Sequence, residues 1–522
     1  MPVKLTDQQK RNLINTLLLN DVIYLLMGLF FYAAYECQLD EMIRAAIGGV
    51  SGTKTSYILY SHILIGWLLK GLTMVLPAFG WYYAYLSVCA LAALSLICYV
   101  IMKRSGNQTG LTVSAVLAAF VGYECYVLPG CMKTAGVLAF AALIVFMDAA
   151  ETGSIKNRGR KILIVFLAAL GSMTQFSAFC MTVIVGFVSM GVYFAVKSKG
   201  LLVFRIRELR KNGIFRSFAV TVIGICFVSA LVWAMDYAGY QFDGRTDAGR
   251  YRAAIIRMYG YGMGDYDAVY QDIYGIDEQE YAAIQNGSFG ILDNEGWKVL
   301  ERLSKDGRGL TGKKLNSYFK TVPLALFKRG MFYLWLIMLA MLLFSPAEGK
   351  LKRSMVGMEI GILLACFLTA YVFNAWQSSE AAFLLILPLL LPIFSALKDT
   401  KEADCHYLWV YLTVFSVILY SNFSSGMMHS VSEENVSERF AALASNRVNV
   451  IDLNAYLKSF GAKRVFPEGI LQTGNVKVSN GAFALMEGFD GKVFSTHPSA
   501  HEEYGWIYNP KQLDVWNLVF ED

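Results

Sequence analysis

Charge is scarce in this chain. Of 522 residues, 16% are Asp, Glu, Lys or Arg and 56% are hydrophobic. That balance excludes a soluble globular protein, and runs of about twenty apolar residues recur along it. The small formal charge of +6 is gathered in a few short basic loops. It therefore reports membrane orientation and gives no footprint for nucleic acid. Histidine is sparse too: His62 stands alone, with no second His or carboxylate at ligand spacing, which argues against a metal there. The nine cysteines have neither metal nor disulfide spacing. Cys89, Cys98, Cys180, Cys226 and Cys366 lie inside apolar runs as small hydrophobes. Cys125 and Cys131 flank a loop and are the one pair placed to join. No internal repeat, low-complexity tract or nucleotide fingerprint appears. The first apolar run is too long for a signal peptide and has no small-residue cleavage site, so it is expected to remain as a span.

What is present is a series of apolar runs separated by polar punctuation. The first, Leu13–Tyr35, follows a basic tail with Lys4, Lys10 and Arg11, which the positive-inside rule places in the cytoplasm. The run Tyr57–Phe79 holds His62 and Lys70 and ends in a Pro-x-x-Gly-Trp-Tyr-Tyr anchor. If it crossed, the basic loops Lys156–Lys161 and Lys197–Arg216 would fall on inconsistent sides. It is therefore expected to lie along the outer interface. Further spans are expected at Trp81–Met102, Leu111–Leu128, Thr134–Met147, Ile162–Met173, Phe176–Val196 and Phe218–Tyr237, with Thr174-Gln175 breaking one helix pair. After an external loop come Met331–Phe344, Met355–Phe373, Ala381–Leu397 and Tyr407–Ser424. The fold class is thus an all-α polytopic membrane bundle of about eleven transmembrane helices.

Four units follow from this reading. Residues 1–237 form an N-terminal membrane module whose first outer loop, 36–80, is acidic. Residues 238–322 form an external loop or lid, residues 323–424 the remaining spans, and residues 425–522 an extracytoplasmic domain. That last stretch has strand-like runs at Arg464–Phe466 and Val476–Val478 and a helical pattern around Asn449–Phe460, which suits a small α+β cap.

The chain is organised around Tyr35–Thr55, where the acidic pair Asp40-Glu41 follows the first span and a short amphipathic helix and a Ser-Gly-Thr turn are expected next. A carboxylate there is solvated yet within reach of lipid headgroups. The bland alternative is that two polar residues simply mark the end of a span.

This layout resembles the C-type superfamily of integral-membrane glycosyltransferases, and is similar to multi-pass proteins of Gram-positive anaerobes. The resemblance rests on Asp40-Glu41, on Gly48-Gly49-Val50-Ser51-Gly52-Thr53, on Trp81-Tyr82, and on Gly264-Asp265-Tyr266 through Gly275-Ile276-Asp277-Glu278-Gln279-Glu280-Tyr281. It covers most of the chain as topology but is short as motif. It implies a C-type fold and transfer of a sugar from a polyprenyl-phosphate donor to a glycan or lipid acceptor at the outer face of a bacterial plasma membrane.

Such chemistry needs a carboxylate to deprotonate the acceptor hydroxyl, for which Asp40 or Glu41 would serve. Asp40 is preferred, because Glu41 would point about 100° away on any helix that has started. It needs positive charge for the leaving lipid phosphate, from Lys54, Lys133, Arg245, Arg250 or the pair Lys328-Arg329. It needs aromatic surface for sugar rings, from Tyr251, Tyr259, Tyr261 and Tyr266 with Asp265 beside them. A divalent cation (Mg or Mn), used by some members of that superfamily, would contact the acidic pair; no cofactor is otherwise expected.

Each residue has a plainer reading. Arg250 and Arg257 share a helix face and one can pair with Asp247, the tyrosines suit an interfacial belt, and Lys70 and Lys328-Arg329 can snorkel. Two positions depart from the superfamily pattern: Gln175 stands where a basic residue is common, and Gln377-Ser378-Ser379-Glu380 where an Arg is expected. Two other readings stay open. A flippase or transporter for a lipid-linked glycan would place ionisable residues within spans and show inverted repeats, whereas these spans read as nearly free of charge. A polysaccharide polymerase or ligase would act outside through Arg-rich loops.

Overall fold

The computed structural model describes residues 6–31, 60–77, 79–105, 107–197, 214–242, 246–261, 266–278, 296–306, 330–344, 349–372 and 379–396. It also describes single positions between 33 and 58, positions 281 and 284, and four short segments beyond residue 448. The helices are α1 (Asp7–Phe30), α2 (Ile63–Val75), α3 (Trp81–Ser105), α4 (Asn107–Gly122), α5 (Cys131–Glu151), α6 (Arg158–Thr174) and α7 (Phe176–Lys197). Then come α8 (Ile214–Phe242), α9 (Thr246–Tyr261), α10 (Val269–Tyr274), α11 (Gly296–Asp306), α12 (Gly330–Phe344), α13 (Gly349–Val372) and α14 (Ser379–Ala396).

Helix α1 shows why this is a membrane bundle. It opens on a capping box, in which Thr6 accepts from the Gln9 amide and the Gln9 side chain accepts from the Thr6 amide. Its buried positions are Asn12, Thr16, Asn20, Ile23 and Met27, while Leu18, Leu25 and Leu29 are exposed. A soluble helix would do the reverse. Lipid is as apolar as leucine, so outward leucines cost nothing there, while the inward polar groups must be satisfied inside the protein. Thr16 Oγ1 donates within α1 to the Asn12 carbonyl at 2.7 Å and lies 3.3 Å from Met102 Sδ of α3, and Asn20 Nδ2 donates to the Thr16 carbonyl at 2.9 Å.

Helix α5 is the axis of the bundle. It packs on α3, α6, α7 and α14, and nearly all of its side chains are buried. Its sequence, CMKTAGVLAFAALIVFMDAAE, is rich in Ala, and small side chains let four neighbours approach closely. Two glycines make the approach close: a Cβ on Gly136 would run into Leu384 Cδ2 of α14, and one on Gly186 of α7 into Leu143 Cδ1 of α5. Around this axis α4 packs on α3, α8 on α6, α12 on α14, and α13 on α7 and α14.

Among the described residues five helices are long and apolar enough to cross a membrane: Asp7–Phe30, Trp81–Ser105, Gly110–Val127, Cys131–Glu151 and Arg216–Tyr240. Shorter apolar helices stand at Ile63–Val75, Phe176–Gly191, Gly330–Ala340 and Ala382–Phe394. The expected span Tyr407–Ser424 lies outside the described residues. Helix α2, with 13 residues, is about 20 Å long and falls short of a hydrocarbon core of about 30 Å.

Several boundaries depart from the sequence reading. Helix α8 continues to Phe242, and most of the described residues in the stretch expected as an external loop are helical, in α9, α10 and α11. The spans are also less free of charge than the sequence suggested: Glu359 is buried within α13, and Lys133 and Asp148 within α5. At one end of the bundle Asp148 pairs with Lys103 at 2.7 Å and with Arg104 and Arg160, each at 3.2 Å. Arg104 also pairs with Glu151. Charges of both signs meet where several helices end, which is how they are tolerated at that depth.

Beyond residue 448 the described segments are strands β1 (Asn449–Asp452), β2 (Val476–Ser479), β3 (Trp506–Tyr508) and β4 (Trp516–Leu518), in sheet order β2-β1-β4-β3. β1 and β2 run parallel, and the other two pairs antiparallel. The strand expected at Val476–Val478 is there. The segment read as helical from Asn449 instead begins as a strand, since Val450 and Ile451 are β-branched residues in a sheet pairing. Arg464–Phe466 lies outside the described residues.

Candidate functional site

Residues 40, 43, 44 and 47 are helical, and all four are buried. The spacing i, i+3, i+4, i+7 is one helix face, so Asp40, Ile43, Arg44 and Ile47 point into the protein together. Asp40 is 1% exposed. Its Oδ1 accepts from the Tyr82 hydroxyl at 2.5 Å and from the Cys131 amide at 2.9 Å. Cys131 opens α5, and its amide is among those left without an intrahelical partner, so the carboxylate caps the central helix from a distant segment and meets the positive end of its dipole.

A second carboxylate closes on the same point. A Cβ on Gly130, the residue before α5, would stand 2.5 Å from Glu380 Oε1 and 3.2 Å from Asp40 Oδ2. Gly130 is what allows the two acids to approach. Glu380, at the start of α14, is as deeply buried as Asp40. One turn into α5, Lys133 donates to Glu124 Oε2 at 2.6 Å and to the Leu128 carbonyl at 3.1 Å. Glu124 sits in a π-helical turn, Tyr123–Val127, at the end of α4. Such single turns re-aim a side chain and are frequent at functional sites. Burial lifts the Asp40 carboxyl above its ordinary value of 3.8, a rise that the Tyr82 hydroxyl, Cys131 and the Lys133 ammonium only partly offset.

The helices after α8 share a core with this place. Tyr251, Ile255 and Met258 of α9 and Leu300 and Leu303 of α11 belong to one buried cluster with Ile43, Ile47, Tyr82 and Cys131. Helices α9 and α11 pack on each other, joined by Arg257–Glu301 at 2.9 Å and by Arg250 lying 4.9 Å over the Trp297 ring. Segment 60–62 ties this layer to the bundle. Ser61 Oγ donates to the Thr174 carbonyl at 2.6 Å and the His62 amide to the Met173 carbonyl at 2.8 Å, at the expected break between α6 and α7. Gln175 takes that break itself, with an extended backbone and its side-chain oxygen accepting from the Ala178 amide.

The residues singled out in the sequence fare differently. Asp40 and Tyr82 meet. Lys133 is close by but buried against Glu124, so as placed it faces a carboxylate and not an open phosphate site. Tyr251 is buried in the shared core and offers no face to a sugar. Arg250 is exposed and lies on Trp297. Tyr266 packs edge-on to Tyr281 at 5.5 Å, and Tyr281 stacks on Tyr270. Glu41, Lys54, Arg245 and Asp265 lie outside the described residues, as do the side chains of Tyr259 and Tyr261 on α9. Cys125 and Cys131 are both buried and unbonded to each other. No group of three or more His, Cys, Asp or Glu placed for a metal occurs among the described residues.

Sequence reasoning passed over Arg44 and took Glu380 only as a departure from a pattern. Arg44 was legible, standing four residues after Asp40 on the face that Ile43 and Ile47 define. Glu380 was not, because only the packing of α14 against α5 brings it near Asp40. Comparison of the chain with protein-family models, with characterised proteins and with solved structures finds no match.

Proposed function

We propose that this chain is a membrane glycosyltransferase of C-type architecture. It moves a sugar from a polyprenyl-phosphate donor to a glycan or lipid acceptor at the outer face of a bacterial plasma membrane. In this reading about eleven helices cross the bilayer, the N-terminus is cytoplasmic, the C-terminal sheet is extracytoplasmic, and α2 lies along the outer interface. The partners are the lipid-linked sugar, its acceptor and membrane lipids, without nucleic acid. The observation that carries the proposal is Asp40: a buried carboxylate held by a tyrosine hydroxyl and a helix N-terminal amide, beneath helices from the long segment after α8.

Asp40 is the general base for the acceptor hydroxyl. Its raised pKa brings it nearer the operating pH, where a base is most effective. Tyr82 fixes the carboxylate and Glu380 stands as its neighbour. Arg44, on the same helix face as Asp40, joins Lys133 as a candidate cation for the departing lipid phosphate. A divalent cation at the acidic pair remains part of the proposal only as far as Glu41 would join Asp40. The purified protein, incubated with polyprenyl-phosphate sugars and a glycan or lipid extract as acceptor, should release the lipid phosphate, and Asp40→Asn should release it far more slowly. Equal release from both would overturn the proposal.

One observation favours a second reading, a flippase or transporter for a lipid-linked glycan. Glu359 is buried within apolar α13, 3.4 Å from Trp335 Nε1 of α12. Buried acids in such helices mark ion or proton paths. Glu359→Gln that stops lipid-glycan translocation in vesicles, in a protein that releases no lipid phosphate, would establish it.

A further inference from the structure

His62 stands where four elements meet, and both of its ring nitrogens are engaged. Nδ1 accepts from the Leu64 amide at 3.1 Å, capping the first turn of α2. An amide donor there requires Nδ1 to be the unprotonated nitrogen, so Nε2 carries the hydrogen and donates to the Val232 carbonyl of α8 at 3.0 Å. The backbone on either side is equally committed. The Ile63 amide donates to Asp236 Oδ1 at 2.9 Å, and the Ser61 carbonyl accepts from Arg252 Nη2 at 3.0 Å. Arg252, on α9, also pairs with Asp236 and lies over the Tyr240 ring at 4.7 Å. Residues 61–63 thus hold α2, α8, α9 and the break between α6 and α7 together.

We infer that His62 is a pH-sensitive latch, whose protonation uncaps α2 and loosens α9 from the bundle. The inference does not depend on the glycosyltransferase reading. A second proton can go only onto Nδ1, where it points at the Leu64 amide hydrogen: one bond is lost and donor faces donor. Among the described residues, the charged groups facing the ring are Asp236 of α8 and Arg252 of α9. Asp236 attracts an imidazolium but already accepts from Ile63 and Arg252; Arg252 repels it. The neutral ring is therefore the form that the closed arrangement selects. Burial agrees, lowering the His62 pKa below its ordinary 6.5, with Arg252 adding to it and Asp236 and the Val232 carbonyl opposing. Acid pH in the compartment that His62 faces would open the latch.

The test is hydrogen exchange of the full-length protein in nanodiscs between pH 7.5 and 5, corrected for the intrinsic pH dependence of amide exchange. Amides of residues 63–66 and 252–258 should lose protection below pH 6.5 by about fivefold, the worth of one helix cap, while those of α5 stay unchanged. His62→Asn keeps an acceptor for the Leu64 amide but cannot take up a proton in this range, so its exchange should stay flat with pH. A wild-type profile without the step, or an Asn variant with the same step, overturns the latch. If His62→Asn does not fold, the wild-type profile decides alone: a step confined to those two segments supports the latch, and loss spread over the bundle or none at all overturns it.

Discussion

The Tyr82 hydroxyl reaches Asp40 across 42 positions of sequence and donates to its Oδ1 at 2.5 Å. Tyr82 is the second residue of α3, and Asp40 belongs to the stretch that precedes α2, so the bond closes a loop around the whole of α2. A buried carboxylate needs such donors, and with the Cys131 amide it has two. If Asp40 is the base, Asp40→Asn should lower turnover by about 10²–10⁴-fold. Release of polyprenyl phosphate measures it, with thermal unfolding as the control for folding. Tyr82→Phe keeps the carboxylate and should cost less. An Asp40→Asn protein with full turnover would leave Asp40 as a helix cap alone.

The pH dependence follows from burial. A base must be ionised, and Asp40 resists ionisation because desolvation raises its pKa above 3.8. The rising limb of kcat against pH should therefore lie above the ordinary carboxylate range and vanish in Asp40→Asn. Stability moves the other way. A group whose folded pKa is raised contributes most below its unfolded value, and that contribution is lost as pH rises through the folded one. Asp40→Asn should accordingly flatten the pH dependence of thermal unfolding in that window.

Lys133 and Glu124 form a buried pair at 2.6 Å, with side chains 1% and 9% exposed. Removing one partner strands a charge in the bundle, at a cost of about 3–5 kcal/mol. Lys133→Met alone and Glu124→Gln alone should each lower the unfolding temperature in detergent. Lys133→Met with Glu124→Leu should recover most of it. Recovery of stability without recovery of activity would give the pair a part in the site beyond packing.

Much of this architecture was legible from apolar runs and their punctuation. The break at Thr174-Gln175, the start of α3 at Trp81 and the division of α4 from α5 all stand where polar residues or glycine interrupt apolar sequence. The Asp40 stretch was legible for the same reason: a carboxylate just past a span is conspicuous. What could not be seen were contacts made by packing. Glu380 comes to Asp40 only because α14 lies against α5, and Lys133 finds Glu124 only because a π-turn redirects it. Arg250, Tyr251 and Tyr266 were read by residue type as a phosphate and sugar surface. In the fold Arg250 and Tyr266 pack on aromatic rings and Tyr251 is buried, because α9 and α11 bury a shared core inside the stretch expected as an external loop or lid.

Gly130 offers a test of that hidden contact. An Ala Cβ there would stand 2.5 Å from Glu380 Oε1, closer than non-bonded atoms tolerate, and 3.2 Å from Asp40 Oδ2. The backbone at Gly130 is extended, with φ of −163°, a conformation open to any residue, so Gly130→Ala adds volume without backbone strain. The cost should be the overpacking of one methyl, about 1–3 kcal/mol, read as a lower unfolding temperature. Because the methyl would push the two carboxyl groups apart, activity should fall further than stability. Glu380→Ala should relieve the clash, so the double variant should unfold nearer the temperature of Glu380→Ala alone than the two single changes would add up to. Strict additivity of the two changes would mean that Glu380 and Gly130 do not touch.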